Sequence, residues 1–380
     1  MDFKAAALRF IIFIGIVSLF ADMTYEGARS ITGPYLALLG ASGTAVGIIA
    51  GVGEFIGYGF RVVSGYLADK TAYYWTITFI GYAINLLAIP FLALANSWEM
   101  AGFLIILERF GKAVRGPPKD AMLSYATKHV GRGWGFGLHE TLDQIGAIAG
   151  PLVVMLILFF KKSYVLAFAT LAIPALLALI MLLVTRLNFP KPSDMEKRAP
   201  AFEAKPFSHQ FWIYLLAIGC VAAGFIDFAL ISYHFQKIGM PAVWIPFLYA
   251  IAMSVDGLTA LFMGRLFDLK GILSLAVVTA ITAFFSPFLF LGGFSLILIG
   301  MILWGIGLGA QETIMKAVVA NLVPPNKRAT AYGIFNLIFG TFWAIGSGLM
   351  GYFYDVSITA LILFSILAQL ASIPIFLLLK

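Results

Sequence analysis

The sequence predicts an all-α membrane protein with twelve transmembrane helices in two pseudo-symmetric six-helix bundles. Composition is the first reason: 61% of the 380 residues are hydrophobic, 11% are charged, and the mean hydropathy is +0.97. Soluble proteins carry roughly 25% charged residues, so this chain has too little polar surface to face water. The second reason is that apolar runs of ~20 residues, the length of a span, follow one another almost from end to end. The third is a repeat between the two halves.

Six spans are predicted before a polar break and six after it. They lie at about 8–37, 43–69, 74–95, 98–120, 134–160, 164–187, 209–238, 242–267, 273–292, 294–321, 329–354 and 358–379. The break is rich in proline and charge, which is typical of a linker. We therefore expect an N-terminal half at 1–188, a cytoplasmic linker at 189–208 and a C-terminal half at 209–380.

The basic residues predict the orientation. With an even number of spans, most Lys and Arg residues near the span ends fall on one side, and the opposite loops hold only Lys161, Lys162 and Lys237. Loops rich in Lys and Arg are usually cytoplasmic. We therefore expect both termini and the linker in the cytoplasm and the spans in the cell (plasma) membrane. This orientation accounts for the net charge of +7, so no nucleic acid partner is expected.

Other kinds of chemistry are not indicated. The sequence contains no Walker loop, no His-Glu-x-x-His and no Cys-x-x-Cys, and its single cysteine allows no internal disulfide. We expect no cofactor, no metal site and no enzymatic activity. The expected partners are the lipid bilayer, a small-molecule or ion substrate and a coupling proton, with the protein acting as a monomer.

The repeat links two pairs of spans. Residues 132–137, which begin span 5, match residues 328–333, which begin span 11. Residues 65–70, at the end of span 2, match residues 264–269 at the end of span 8. Two matches in consistent positions indicate a six-helix duplication, which is common in transporters.

With its Gly-x-Leu-x-Asp segments after spans 2 and 8, the whole chain resembles the major facilitator superfamily. The resemblance implies a cytoplasmic gate, for which the candidate residues are Gly65, Asp69, Lys112, Arg115, Asp268 and Arg328. Asp69 is disfavoured at the C-terminal end of its own helix and needs a cation or a helix N-terminus nearby. The start of span 11 is the partner that the family pattern implies; a solvated loop carboxylate is the alternative.

A glycine pattern in span 5 resembles the antiporter motif of exporter subfamilies. It consists of Gly137, Gly146 and Gly150-Pro151, but Val154 and Met155 stand where the motif ends in two glycines. The alternative is close helix packing with no bearing on transport direction. Residues 108–121 and 135–143 resemble a prokaryotic group that includes archaeal permeases and proteins labelled nickel-resistance permeases. This resemblance implies efflux-type transport.

Ionisable residues inside the spans are functional candidates, because each costs ~2.5–3.5 kcal/mol to insert at mid-span. Most lie in the first half, on helical faces that repeat every three or four residues. The candidates for proton coupling or substrate binding are Asp22, Glu26, Arg29, Glu54, Arg61, Glu108, Arg109, His139, Glu140, Asp143 and Asp227.

Asp22 and Glu26 are the strongest of these candidates. They lie ~21–27 Å along span 1 from Leu8, in the middle to outer part of the bilayer, where a carboxyl group could bind and release a proton. Alternatively, Arg29 simply neutralises Glu26. Asp227 on span 7 is a candidate repeat-related partner of Asp22. Further along span 4, residues 116–118, Gly-Pro-Pro, predict the end of the regular helix or a kink.

The leading hypothesis is a secondary active transporter, a proton-coupled exporter (antiporter) of a small cationic or amphipathic compound. A proton- or ion-coupled importer is the first alternative. A membrane sensor or a membrane-embedded enzyme is the second. The sensor is disfavoured because no loop is long enough for a soluble domain, and the enzyme because only four histidines are available.

Overall fold

The computed structural model describes residues 3–130, 132–190, 207–323 and 328–379. Its helices are α1 (Phe3–Leu38), α2 (Gly43–Thr71), α3 (Tyr74–Phe91), α4 (Trp98–Val130), α5 (Arg132–Lys161), α6 (Tyr164–Thr170), α7 (Ala172–Asn188), α8 (His209–Gly224), α9 (Phe228–Lys237), α10 (Trp244–Lys270), α11 (Ile272–Thr282), α12 (Phe285–Leu291), α13 (Phe294–Leu322), α14 (Arg328–Val356) and α15 (Ile358–Leu377). Most of the predicted linker lies outside the described residues.

These helices form twelve spans, which confirms the predicted fold class. Eleven spans among the described residues are long and apolar enough to cross a membrane by length and composition. Three of them are built from two helices each: α6 with α7, α8 with α9, and α11 with α12. The twelfth is α4, 33 residues long, whose many ionised side chains lower its hydropathy.

The described chain forms two compact units. Unit 1 comprises Met1–Arg29 and Phe60–Ala201, and unit 2 comprises Ser30–Gly59 and Phe202–Lys380, each as far as it is described. The core of unit 1 joins apolar faces of α1, α3, α4 and α7. The core of unit 2 contains fully buried aromatic side chains from α9, α10 and α13. The boundaries of the predicted six-helix halves stay a prediction.

Helix α4 corrects the predicted boundary of span 4. The helix does not end at the two prolines but continues through Pro117 and Pro118 to Val130. A proline lacks the N–H that would bond the carbonyl four residues earlier, so Pro117 releases the carbonyl of Ala113. The hydroxyl of Ser64 donates to that oxygen at 2.8 Å. A side chain from α2 thus replaces the missing backbone donor.

Span 7, by contrast, is interrupted although it contains no proline. Helix α8 ends at Gly224, and α9 begins at Phe228. Asp227 caps α9, with its Oδ1 accepting from the backbone N–H of Ala229 at 2.8 Å. Capping by a carboxylate satisfies a donor that the first helical turn leaves open.

Small residues bring helix backbones into contact in both units. A Cβ added to Gly146 or Gly150 of α5 would collide with the α1 carbonyls of Leu19 or Met23. In unit 2, Gly47 of α2 lies in the same way against the carbonyl of Ser347 in α14. The glycine pattern of span 5 is therefore a packing surface on α1 at its second and third positions. The first position differs, because a Cβ added to Gly137 would meet nothing within 4 Å.

Candidate functional site

Unit 1 contains a group of buried and half-buried ionisable side chains on three helices. We define the ionic cluster as Asp22, Glu26, Lys112, Arg115, Lys119, His139 and Asp143. Its members come from α1, α4 and α5. The Gly146 and Gly150 contacts hold α5 close to α1 on the face that carries Asp22, so the backbone packing brings these polar faces together.

Asp22 lies at the centre of the ionic cluster and is 6% exposed. The hydroxyl of Tyr25 donates to its Oδ2 at 3.0 Å. Asp143, Lys112 and Arg115 all interact with Asp22 electrostatically. The carboxyl group therefore lies within electrostatic range of a second acid and of two bases, in a site that water reaches poorly.

Two of the bases of α4, Lys112 and Arg115, stack on tyrosine rings. Lys112 Nζ lies 3.9 Å from the ring centroid of Tyr25. The Arg115 guanidinium lies 4.3 Å from that of Tyr82 and 5.8 Å from that of Tyr25. Such cation–π contacts are worth ~2 kcal/mol or more when they are desolvated. Tyr25 consequently touches both an acid and the bases that compensate it.

His139, on α5, belongs to the ionic cluster through its contacts with α1 and α4. Its Nε2 lies 2.9 Å from Ser18 Oγ and 3.5 Å from Lys119 Nζ. Ligand atoms of His139, Glu140 and Asp143 lie within 4.8 Å of one another, close enough to hold a metal ion. An ammonium group at Nε2 disfavours a cation at that position by charge repulsion, so we assign no metal to it.

Glu108 forms a separate polar group on α4. Its Oε1 accepts from Asn85 Nδ2 of α3 at 2.7 Å, and its Oε2 lies 3.4 Å from Arg109 Nε. Glu108 and Arg109 are 7% and 8% exposed. Because Glu108 contacts Asn85 on α3 and Arg109 on its own helix, we interpret it as a structural link between α3 and α4.

The remaining candidate residues are distributed over both units. Glu54 is buried in unit 2, and Arg29 and Arg61 are half-buried in unit 1. Glu140 is exposed. Asp227, 4% exposed, caps α9 within unit 2. It does so from an interrupted span, whereas Asp22 lies in the continuous α1.

The residues assigned to the cytoplasmic gate are only partly described. Asp69 is exposed and accepts from the hydroxyl of Tyr74 at 2.9 Å. Gly65 lies against Pro117, since an added Cβ would be 3.4 Å from its ring. The side chains of Asp268 and Arg328 lie outside the described residues, and the expected cap of Asp69 on span 11 stays a prediction.

A second helix cap was not anticipated from the sequence. Asp355, at the end of α14, accepts from the N–H groups of Gly43 and Thr44 at 2.8 and 2.7 Å and from the Thr44 hydroxyl at 2.6 Å. These donors belong to the first turn of α2, so an acid that is disfavoured by its own helix is stabilised by the N-terminus of another. The argument applied to Asp69 would also have identified Asp355.

Four other residues that belong to or contact the ionic cluster or Glu108 were not predicted from the sequence. Lys119 was not among the candidate residues, but it is 8% exposed within α4. Ser18, Tyr25 and Asn85 are uncharged and gave no signal, although Ser18 and Tyr25 share a helical face with Asp22. A search for polar residues three or four positions from each buried acid would have found these two.

Comparisons with known proteins agree with this architecture. The family model of the Major Facilitator Superfamily matches residues 11–347 and 244–380. An uncharacterised protein of Mycobacterium tuberculosis is 40% identical over 97% of this chain and 92% of its own length. An uncharacterised MFS-type transporter of Methanocaldococcus jannaschii is 27% identical over 90% of this chain and 88% of its own.

A solved structure has the same fold. The nucleoside transporter NupG superposes with a TM-score of 0.76 at 16% identity, covering 97% of this chain and 98% of that one. The family match indicates a transporter rather than an enzyme, with a small-molecule substrate and several membrane spans. The resemblance found in the sequence motifs is confirmed: the chain belongs to the Major Facilitator Superfamily of membrane transporters.

Proposed function

We propose that this transporter is a proton-coupled exporter (antiporter) of a small cationic or amphipathic compound, and that Asp22 carries the proton. We further propose a monomer in the plasma membrane with both termini in the cytoplasm. The observation that carries the proposal is the setting of Asp22, which is buried and interacts electrostatically with Asp143, Lys112 and Arg115.

The charge balance of the ionic cluster supports exchange. Apart from His139, the cluster contains three acids, Asp22, Glu26 and Asp143, and three bases, Lys112, Arg115 and Lys119. Protonation of one acid leaves an excess positive charge, and at low local dielectric that charge strongly disfavours a cation nearby. Release of the proton removes the excess. Proton and cationic solute would therefore bind at alternate times, as antiport requires.

The α1–α5 packing supports export, as the span-5 glycine pattern is typical of exporter subfamilies. Gly146 and Gly150 maintain the contact that holds Asp22 on α1 near Asp143 on α5. The missing final glycine pair keeps an importer as the alternative, and transport direction separates the two. A sensor is disfavoured by the family match.

The test is transport in liposomes that contain the purified protein and a proton gradient. Ethidium and tetraphenylphosphonium serve as cationic amphipathic probes, and a pH-sensitive dye reports proton movement in the opposite direction. We expect Asp22→Asn to reduce gradient-driven transport at least tenfold, because the amide cannot bind and release the proton. Glu99→Gln is the control, since Glu99 lies in the first turn of α4 and is exposed.

Three outcomes would contradict parts of the proposal. Transport that is indifferent to the proton gradient would exclude proton coupling. Full gradient dependence in Asp22→Asn would exclude Asp22 as the carrier. Probe movement in the same direction as protons would favour the importer.

A further inference from the structure

The side-chain ammonium of Lys112 occupies the face of a buried tyrosine ring in unit 1. Its Nζ lies 3.9 Å from the ring centroid of Tyr25, and Tyr25 is 7% exposed. The hydroxyl of the same tyrosine donates to Asp22 Oδ2 at 3.0 Å. One side chain therefore joins a cation at its ring face to the proposed proton carrier at its hydroxyl.

The two bases that approach Tyr25 are held differently. Arg115 is 4% exposed, and its guanidinium lies 4.3 Å from the ring centroid of Tyr82 but 5.8 Å from that of Tyr25. Arg115 therefore has a ring partner of its own. Lys112 is only half-buried, so part of its side chain is accessible from outside the core. Because its ammonium is a compact charge on a flexible four-carbon stem, it can withdraw from the ring while α4 stays in place.

The surroundings of this ammonium attract a cation, whichever molecule supplies it. The acids that attract it most strongly are Glu26 and Asp22, whereas Arg109 repels it. The ring face attracts cations of any origin, because it is the negative part of the aromatic quadrupole. A free ammonium at the position of Nζ would meet the same acids and the same ring. It would also exclude Lys112, because two ammonium groups in contact repel each other.

Exchange of one ammonium for another also preserves the charge balance of the ionic cluster. Its three acids and three bases are balanced while Lys112 is in place. A solute cation added to that balance would leave an excess positive charge in a region of low dielectric, which is unfavourable. Withdrawal of the Lys112 ammonium as the solute enters avoids this excess.

We propose that the ring face of Tyr25, beside Asp22, binds a primary ammonium group of the transported solute, and that Lys112 is a tethered competitor that fills this site when no solute is bound. The approach of Nζ to 3.9 Å supports a primary ammonium, because methyl groups on a quaternary nitrogen would hold it further from the ring. This assignment rests on the proposed transport function, since it narrows the cationic solute to alkylammonium compounds.

Binding of n-propylammonium to the purified protein in detergent, without a proton gradient, tests this assignment. This ion matches the part of the side chain that Lys112→Ala removes. We expect its Kd to be about tenfold or more lower in Lys112→Ala than in the wild type, because the competitor is gone. Adding Tyr25→Leu should raise that Kd about tenfold, since it removes the ring that contacts the cation.

Three controls isolate the contact with the ring. Lys70→Ala is the matched variant, because Lys70 lies 5.7 Å from the centroid of the exposed ring of Tyr66 and outside the ionic cluster. It should leave the affinity unchanged. The control probes are 1-propanol, which lacks the charge, and tetramethylammonium, which lacks N–H groups, and both should bind more weakly than n-propylammonium.

A second measurement uses the wild type and does not depend on the folding of a variant. Bound n-propylammonium should displace the Lys112 ammonium from the ring and expose it to acetic anhydride. Mass spectrometry then measures the acetylation of Lys112 relative to that of Lys70, a ratio that corrects for reagent consumed by the free amine. We expect the ratio to rise with n-propylammonium and to stay constant with 1-propanol.

The thermal unfolding midpoint of each variant without ligand shows whether it is folded. Equal affinity of the wild type and folded Lys112→Ala, no loss of affinity with Tyr25→Leu, tighter binding of either control probe, or a constant acetylation ratio would overturn the assignment. Saturable n-propylammonium binding without proton-coupled transport of any cation would refute only the proposed function. Proton-coupled tetraphenylphosphonium transport without n-propylammonium binding would refute only this site.

Discussion

Helix α4 in unit 1 and span 7 in unit 2 both lose backbone hydrogen bonds inside a span, but only span 7 is broken there. Helix α4 contains two consecutive prolines and stays continuous. Span 7 contains no proline and is broken between Gly224 and Phe228. Inside a bilayer every freed backbone group needs a partner within the protein, so the difference should follow from which side chains supply those partners.

The two sites differ in the number of side-chain donors. In α4, Pro117 frees the carbonyl of Ala113, and the hydroxyl of Ser64 is its side-chain donor. At the break, the carbonyl of Gly224 accepts from Ser365 Oγ at 2.7 Å and from Gln369 Nε2 at 3.1 Å. The carbonyl of Ile226 accepts from Trp304 Nε1. Side-chain donors from other helices, rather than proline, therefore stabilise a non-helical segment at membrane depth.

The largest effect is expected from removing both donors at the break. The double variant Ser365→Ala/Gln369→Leu leaves the carbonyl of Gly224 without either partner. Because a buried unsatisfied group costs ~1–3 kcal/mol and a hydrogen bond contributes ~0.5–1.5 kcal/mol, unfolding should become easier by about 2–4 kcal/mol. Unfolding in mixed micelles with rising SDS measures this. Leu363→Ala on the same helix, exposed at its surface, is the control.

An unchanged free energy of unfolding in the double variant would contradict this interpretation, because the interrupted backbone would then not depend on side-chain donors. Each single variant should cost less than half of the double, since the other donor remains in place at the Gly224 carbonyl.

A smaller effect is expected at the first turn of α2, where an acid from α14 satisfies N–H donors instead of carbonyls. Asp355→Ala removes three hydrogen bonds from Gly43 and Thr44. Loss of a helix cap typically costs ~0.5–2 kcal/mol, so we expect about 1–2 kcal/mol. Hydrogen exchange of the peptide that contains Gly43 and Thr44 should accelerate. Asp69→Ala, at an exposed acid, should change stability by less than ~0.5 kcal/mol.

Unchanged exchange at Gly43 and Thr44 in Asp355→Ala would mean that water replaces the carboxylate without cost. In that case the first turn of α2 would not depend on α14, and side-chain partners from other helices would matter only for freed carbonyls.

The sequence predicted the spans closely but missed the break in span 7 and placed the end of span 4 too early. Hydropathy averages over a window, so it predicted span 7 as one piece even though Gly224 is a typical helix end and Asp227 a typical N-cap. Conversely, Pro117 and Pro118 predicted an end to the helix or a kink, and the first of these is wrong because a proline rule considers only the backbone. The hydroxyl of Ser64, on another helix, could not be inferred without the packing of α2 on α4.

The candidate site was predictable to the same extent. Helical spacing placed acids and bases of spans 1, 4 and 5 on common faces, because spacing along one helix is fixed by its geometry. The structure brings some members of each face into the ionic cluster, whereas Glu108 has separate partners. Helical spacing did not identify Lys119 as a neighbour of His139, since that contact depends on how α4 continues past its prolines. Asp355 and Gly43 are 312 residues apart, and no local pattern connects them.

The smallest effect, and the sharpest test of the comparison, concerns the repaired carbonyl in α4. Ser64→Ala should cost about 1 kcal/mol, because Ala113 loses its hydroxyl donor. In a Pro117→Ala background the restored N–H can bond the same carbonyl, so the cost of Ser64→Ala should fall. Ser124→Ala is the matched control, as its hydroxyl bonds the carbonyl of Ala121 within α4, away from the prolines. Equal costs of Ser64→Ala in both backgrounds would show that the hydroxyl does not replace the proline's missing donor, whereas a coupling free energy of ~0.5–1 kcal/mol in this double-mutant cycle would establish that it does.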